Sequence, residues 1–158
     1  MVASRARRLP ARNAWRVVAG LAVGQDISER ITQHRPPLPQ FSLGKSFPGF
    51  GPTGPLLVTP DELDDRQQLE LTTKVNGSVV QRGNTKEMVF DVTQLVEYLS
   101  SVVTLFPGDI IFTGTPPGVG KGRNPPLFLK PGDVLESEIS GVGSMRNVLV
   151  ATREAENA

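Results

Sequence analysis

The sequence predicts a single domain of the α+β class in which β-structure predominates. A chain of 158 residues is long enough to bury a core without disulfides or metal staples. Its 16 glycines and 14 prolines are well above the average share, which indicates many turns and short elements. Only one long stretch has the apolar spacing of a helix, whereas several short apolar runs are bounded by turn residues.

The strands are predicted from short apolar or alternating runs. Asn76-Gly77 is a preferred two-residue hairpin turn, and it lies inside an alternating segment from Leu69 to Gln81. A hairpin is therefore predicted there. The remaining predicted strands are the runs 17–23, 56–59 and 109–113, and a C-terminal pair at 133–139 and 146–152.

Two helices are predicted, and a long loop follows the first of them along the chain. Residues 89–105 carry apolar side chains at helical spacing until Pro107-Gly108 ends the pattern. The segment Asp26-Ile27-Ser28-Glu29 has the form of a capping box, which predicts a short helix from Ile27 to Gln33. Residues 34–55 are rich in Pro and Gly, and their three phenylalanines indicate a packed loop.

Composition excludes several classes of chemistry. Lys and Arg total 17 against 16 Asp and Glu, and this balance argues against a nucleic-acid binder. The absence of Cys excludes a thiol nucleophile, disulfides, zinc-thiolate sites and iron–sulfur clusters. His34 is the only histidine, which excludes metal motifs with two histidines. Any metal site must therefore use oxygen ligands.

The first 25 residues contain five arginines and no acid, a pattern that partly suits a targeting segment. The apolar run 17–23 is short, however, and leads into Gly24-Gln25-Asp26 without a small-residue cleavage signal. No stretch approaches the ~20 apolar residues of a membrane span. We therefore expect no leader, no membrane contact and a cytoplasmic location.

One predicted helix carries three candidate site residues. Asp26, Arg30 and Gln33 stand at i, i+4 and i+7, so one face would present a carboxylate, a guanidinium and an amide. The carboxylate could hold Mg²⁺ while the other two groups bind an anionic ligand. Alternatively, Asp26 only caps the helix and pairs with Arg30 at the surface. Spacing alone favours this second interpretation, because capping boxes are common.

Two further candidates lie in glycine-containing loops. Lys45, among small and apolar residues, could neutralise a carboxylate or a developing enolate, but a surface lysine in a mobile loop is an equal alternative. Gly114-Thr115 follows a predicted strand and could present a hydroxyl and backbone amides to a ligand, although a plain turn is favoured. A Walker phosphate loop is excluded, because its register would need Gly at position 115 and Ser or Thr at 122.

The order of four motifs along the chain is more informative than any single motif. They are Gln25-Asp26-x-Ser28-x-Arg30-x-x-Gln33, Leu43-Gly44-Lys45-Ser46-Phe47, Gly108-Asp109-Ile110-Ile111-Phe112-Thr113-Gly114-Thr115-Pro116 and Leu129-Lys130-Pro131-Gly132-Asp133. In this order they resemble the fumarylacetoacetate hydrolase family. The resemblance covers residues 19–158 and implies a mixed β-roll with few short helices. Residues 1–18 would be an Arg-rich remnant of the upstream part of the domain.

The resemblance also implies an activity. Members are divalent-metal-dependent hydrolases, isomerases or decarboxylases of 2-oxo or enol diacids, of the acylpyruvate or 2-hydroxyhepta-2,4-diene-1,7-dioate type. They bind Mg²⁺, Mn²⁺ or Ca²⁺ through three carboxylates and usually form homodimers, so a homodimer without nucleic-acid or membrane partners is expected. The implied roles are metal ligand for Asp26, catalytic lysine for Lys45, and substrate contacts for Arg30, Gln33, Gly114 and Thr115.

One departure from the family pattern leads to a second hypothesis. Family members carry a Glu-x-Glu pair on a preceding strand, which supplies the other two carboxylates, and a lid with an acid or base. No acid precedes Asp26 in this sequence. A single carboxylate can still support a mostly hydrated Mg²⁺ ion. The alternative expectation is a catalytically inactive, truncated family member that acts as a binding or assembly partner.

Overall fold

The structure is a computed structural model that describes residues 1–151. Its centre is an antiparallel sheet with strand order β2-β1-β3-β4. The helices are few and short, so the predicted α+β class with mainly β-structure is confirmed. The strands are β1 (Glu70–Val75), β2 (Ser78–Asn84), β3 (Val134–Ile139) and β4 (Gly143–Val148), and the α-helices are α1 (Arg30–Gln33) and α2 (Val92–Val102).

The predicted hairpin is formed by β1 and β2. Asn76 and Gly77 both have positive φ, 51° and 78°, as the favoured two-residue hairpin turn requires. The Asn76 side chain also joins the hairpin to β3, since its Nδ2 donates to Asp133 (2.8 Å) and its Oδ1 accepts from the Val134 backbone N–H (2.8 Å). The hydrogen bond from Asn76 lowers the pKa of the Asp133 carboxyl.

Helix α2 confirms the helix that was predicted within residues 89–105. Its N-cap is Asp91, whose carboxylate accepts from the Gln94 backbone N–H (2.8 Å) and from the Thr93 hydroxyl (2.6 Å). These bonds, the one from Thr93 first, lower the pKa of Asp91. The inner face of α2 packs on the N-terminal segment. The contact forms a hydrophobic core cluster, whose buried residues are Val2, Ala6, Ala14, Val17, Val96 and Leu105.

Residues of the N-terminal segment 1–18 are therefore part of a hydrophobic core. The division of the chain into this segment and a domain over 19–158 stays a prediction. Within the segment, Ala11–Val17 form a 3-10 helix. A second cluster lies against the sheet and is built on Val23, Leu69 and Val142. Residue 152, the last of the predicted strand 146–152, and the end of the predicted domain at 158 lie outside the described residues.

Three predicted strands are wrong in the described part of the chain. The runs 17–23, 56–59 and 109–113 form no regular ladder there, and the first two meet only through a single bridge, Leu21 to Val58. Pro52, Pro55 and Pro60 explain the interruption in part, because proline cannot donate a ladder hydrogen bond. The final strand begins at Gly143, three residues earlier than predicted.

Within residues 1–151, no helix has the length and apolar character needed to cross a bilayer.

Candidate active site

The six predicted site residues line one cavity of about 790 Å³. Its walls are the segment 23–33, part of the loop after α1, one face of the sheet and the loop that follows residue 111. This volume lies within the range of small-molecule sites. The residues brought together are Asp26, Arg30, Gln33, Lys45, Gly114 and Thr115. Their individual roles stay predictions.

Asp26 and Lys45 form an ion pair in this cavity, between the carboxylate Oδ2 and the ammonium group. The Asp26 side chain is 42% exposed and that of Lys45 33%, so both groups remain accessible. The pair therefore places one negative and one positive charge side by side where a ligand can reach them.

The interpretation of Asp26 as a helix cap is wrong. Helix α1 begins at Arg30, and Glu29 is its N-cap, because the Glu29 carboxylate accepts from the backbone N–H groups of Ile31 (2.8 Å) and Thr32 (2.6 Å). Hydrogen bonds from Thr32, side chain first and then backbone, together with that from the Ile31 backbone, lower the pKa of Glu29. The Asp26 carboxylate is thereby left for the ion pair.

Gly44 explains how Lys45 reaches Asp26. The Glu29 backbone N–H donates to the Gly44 carbonyl (2.7 Å), so the lysine loop lies directly against the start of α1. A Cβ at position 44 would come within 2.8 Å of the Glu29 carbonyl oxygen and 2.9 Å of the Gln33 Cβ. Only glycine fits this approach, which sets the lysine of the Gly44-Lys45 pair beside the carboxylate.

Arg30 and Gln33 form the second polar pair of the cavity. The Arg30 guanidinium donates to Gln33 Oε1 (2.6 Å). The predicted surface pairing of Arg30 with Asp26 is not found among the described residues, where Asp26 pairs with Lys45. The Gln33 side chain is 1% exposed, yet its Nε2 has no hydrogen-bond partner among the described residues. A buried donor of this kind is costly unless a ligand or water accepts from it. Gln33 is therefore suited to hold an acceptor oxygen.

Gly114 and Thr115 line the part of the cavity next to β2. Gly114 has φ +117°, a conformation that residues with a side chain rarely adopt. Gln81 on β2 donates to the Thr115 Oγ1 (2.8 Å) and to the Pro116 carbonyl (2.8 Å). Sequence reasoning missed Gln81. The available signal was its place in the alternating hairpin, where a polar side chain on the buried face needs a partner.

A glycine-rich loop after Pro116 is held against β2. The Arg123 guanidinium donates to the carbonyl oxygens of Gly118 (3.0 Å) and Val80. Gly118 has φ +109°, and a Cβ there would overlap the Val80 carbonyl oxygen. The close approach of loop and strand therefore depends on the missing side chain at position 118.

Substitution Gly118→Ala is expected to lower the free energy of unfolding by about 2 kcal/mol or more, because it combines a strained φ with a backbone overlap. The matched control is Gly122→Ala in the same loop, where a Cβ meets nothing within 4 Å. That variant should differ from the wild type by no more than ~1 kcal/mol. Urea unfolding of both proteins measures the difference, and equal values would contradict the proposed packing.

The fold and the cavity together define a mainly β domain in which charged and polar side chains line one cavity. The chain belongs to the fumarylacetoacetate hydrolase family, since the family model described as "Fumarylacetoacetate (FAA) hydrolase C-terminal" matches residues 1–150. The resemblance found in the sequence motifs is thereby confirmed.

Named relatives are enzymes of this family. The chain is 45% identical over 150 residues to human oxaloacetate tautomerase FAHD2A, mitochondrial, a match that covers 95% of this chain and 48% of the relative. The structure of fumarylacetoacetate hydrolase from Exiguobacterium antarcticum is 38% identical with a TM-score of 0.89, covering 96% of this chain and 54% of that one.

A third relative has been solved with ligands. The structure of maleylpyruvate hydrolase from Sphingobium sp. SYK-6, in complex with manganese (II) ion and pyruvate, is 31% identical with a TM-score of 0.80. The match covers 95% of this chain and 51% of that chain. This chain thus spans about half the length of the relatives that it matches.

Proposed function

We propose that this chain carries the substrate and metal site of a divalent-metal-dependent enzyme that acts on a 2-oxo or enol diacid. The observation that carries the proposal is the Asp26–Lys45 ion pair, which shares one cavity with the buried Gln33 Nε2, a donor without a partner among the described residues. Because the chain covers about half of its relatives, the activity of the whole protein is part of the proposal.

The chemistry of the relatives supports this substrate class. Oxaloacetate, maleylpyruvate and pyruvate, which appear in the names of the relatives, are all 2-oxo acids. Such molecules present a carboxylate and a neighbouring keto or enol oxygen. The cavity offers donors for both: the Arg30 guanidinium, the Gln33 amide, the Lys45 ammonium and the Thr115 hydroxyl.

The carboxylates near the cavity decide which divalent metal ion the site suits. Within residues 1–151 there is no group of three or more His, Asp or Glu side chains able to hold an ion. The Glu29 carboxylate is occupied by two backbone N–H groups, which leaves Asp26 as the accessible carboxylate of this helix start. This does not fit Ca²⁺, which takes six to eight oxygen ligands. It fits Mg²⁺, which keeps several waters and uses one or two carboxylates plus the substrate.

Asp26 is the residue that would hold the ion, and a bound Mg²⁺ supplies Lewis-acid polarisation of the substrate's oxygen atoms. Lys45 places its ammonium beside this carboxylate, where it neutralises negative charge that develops on an enol oxygen. Arg30, oriented by its bond to Gln33, directs its other N–H groups at a carboxylate. Phe41, Phe50 and Phe112 add apolar surface to the lining of the cavity.

A second candidate function is a binding or assembly partner without turnover. It is favoured by the absence of a three-acid group within the described residues, because such a chain retains the anion donors but has a weak metal site. The two candidates predict the same ligand binding and differ in turnover.

The experiment is a Mg²⁺ and Mn²⁺ titration of the chain followed by thermal unfolding, with and without oxalate as an enolpyruvate mimic. A ligand that binds only the folded state adds about 2.7 kcal/mol at 100 times its Kd. We expect a metal-dependent rise in melting temperature that oxalate enlarges, together with turnover of oxaloacetate or an acylpyruvate. A rise without turnover supports the binding partner, and no rise with either ligand contradicts both candidates.

A further inference from the structure

Gln81 has a side-chain amide whose orientation is determined by its partners. It lies on β2, is 9% exposed, and uses both N–H groups of its Nε2, one for the Thr115 Oγ1 and one for the Pro116 carbonyl (2.8 Å each). A backbone carbonyl can only accept a hydrogen bond. The amide nitrogen, not the amide oxygen, must therefore face this turn.

This orientation determines what the Thr115 hydroxyl can do. A hydroxyl has one proton to donate and two lone pairs that accept. Because the Gln81 N–H occupies the acceptor side of Oγ1, the hydroxyl proton is directed elsewhere, and Thr115 lines the cavity. A donor directed at the cavity is suited to a carboxylate or enolate oxygen.

A second observation shows that the turn lies close to the strand. A Cβ at Gly83 would meet the Pro116 Cβ at 2.6 Å. Gly83 and Gln81 are two residues apart on one strand, so they share a face of the sheet. The missing side chain at position 83 thus allows the turn to approach β2, which brings Thr115 within reach of the Gln81 amide.

Gln81 is also part of a polar row that crosses the sheet. It pairs with Thr73 on β1, which pairs with Ser137 on β3. The Gln25 amide donates to Ser137 (2.7 Å) and to Thr73 (3.3 Å). One row of the sheet therefore anchors both the turn that carries Thr115 and the residue that precedes Asp26.

We propose that Gln81 is a positioning residue, whose amide fixes the Thr115 hydroxyl as a hydrogen-bond donor to the anionic end of the ligand. The proposal rests on the proposed function for its ligand, but the fixed hydroxyl is a property of the free protein. In this proposal Gln81 acts on the ligand through Thr115.

The test begins in the ligand-free protein. Substitution Gln81→Met keeps the length of the side chain and removes its polar atoms. NMR three-bond couplings of the Thr115 methyl group report the χ1 rotamer, and we expect a single rotamer in the wild type and averaging in the variant. The matched control is Gln67→Met, at an exposed glutamine that does not line this cavity.

The second arm measures oxalate affinity in the presence of Mg²⁺ by calorimetry. Gln81→Met and Thr115→Val should each weaken binding by about tenfold, the effect of losing one hydrogen bond to a charged group. The double variant should be no weaker than Thr115→Val alone, because one residue acts through the other. Gln81→Glu is a second variant of equal size. Its carboxylate accepts the Thr115 proton at neutral pH, so binding should weaken there and recover as the carboxyl is protonated at lower pH.

The proposal is overturned if the Thr115 rotamer is unchanged in both Gln81 variants, or if the single losses multiply in the double variant. A wild type that fails to bind oxalate contradicts the proposed function instead, and the NMR arm still decides whether Gln81 fixes the hydroxyl. Thermal unfolding of every variant identifies one that fails to fold, and the other Gln81 substitution then takes its place.

Discussion

Replacement of Lys45 by alanine is expected to lower kcat for a 2-oxo diacid by at least about a hundredfold while the protein stays folded. Removal of one donor that stabilises developing negative charge lowers kcat by a factor of about 10²–10³ in comparable sites. Lys45 is 33% exposed and contacts Asp26, which is 42% exposed. Pairs that are this accessible contribute about 0–1 kcal/mol to stability. The loss should therefore fall on catalysis.

Steady-state kinetics and urea unfolding measure the two effects of Lys45→Ala separately. The matched control is Lys86→Ala, at an exposed lysine after β2 that does not line the cavity. It should leave both quantities unchanged. If Lys45→Ala retains the turnover of the wild type, the ammonium has no part in the reaction.

The second large effect is expected on metal affinity. Replacement of Asp26 by asparagine should weaken Mg²⁺ binding by about tenfold or more, because the ion loses the charge of the carboxylate proposed to hold it. The free energy of unfolding should change by less than ~0.5 kcal/mol, since Glu29, and not Asp26, caps helix α1. Calorimetric titration with Mg²⁺ and urea unfolding measure these quantities.

Asp64→Asn is the control for this substitution, since Asp64 is an exposed aspartate away from the cavity. It should bind Mg²⁺ like the wild type. Equal Mg²⁺ affinity in Asp26→Asn and the wild type would show that Asp26 serves only the ion pair with Lys45. A large loss of stability would instead show that Asp26 supports the start of α1.

Elements with strong local signals were predictable from the sequence. The Asn76-Gly77 hairpin and helix α2 both have turn or capping residues at the ends of a periodic pattern. The runs 17–23 and 56–59 have apolar composition alone, and their pairing is reduced to one bridge. Composition cannot show whether a partner backbone will lie alongside a run.

The start of α1 shows how tertiary contacts decide between two local signals. Asp26 and Glu29 both suit an N-cap, and the sequence alone favours the first. In the structure the Glu29 N–H is bonded to the Gly44 carbonyl, which fixes the chain where the helix begins. The site residues were predicted through motifs of the family. Gln81 was missed because the alternation of the hairpin indicates a buried polar side chain but not which distant group its amide would meet.

The contact at Gly44 has a consequence for the chain entropy that the cavity costs. Asp26 and Lys45 are 19 residues apart, so one modest loop closure brings them together. The wall that carries Thr115 depends on Gln81 reaching Thr115, 34 residues away, and on the pairing of β1 with the more distant β3. Because the entropy of loop closure grows with the length of the loop, the charged part of the cavity costs less chain entropy to assemble than the wall that carries the hydroxyl.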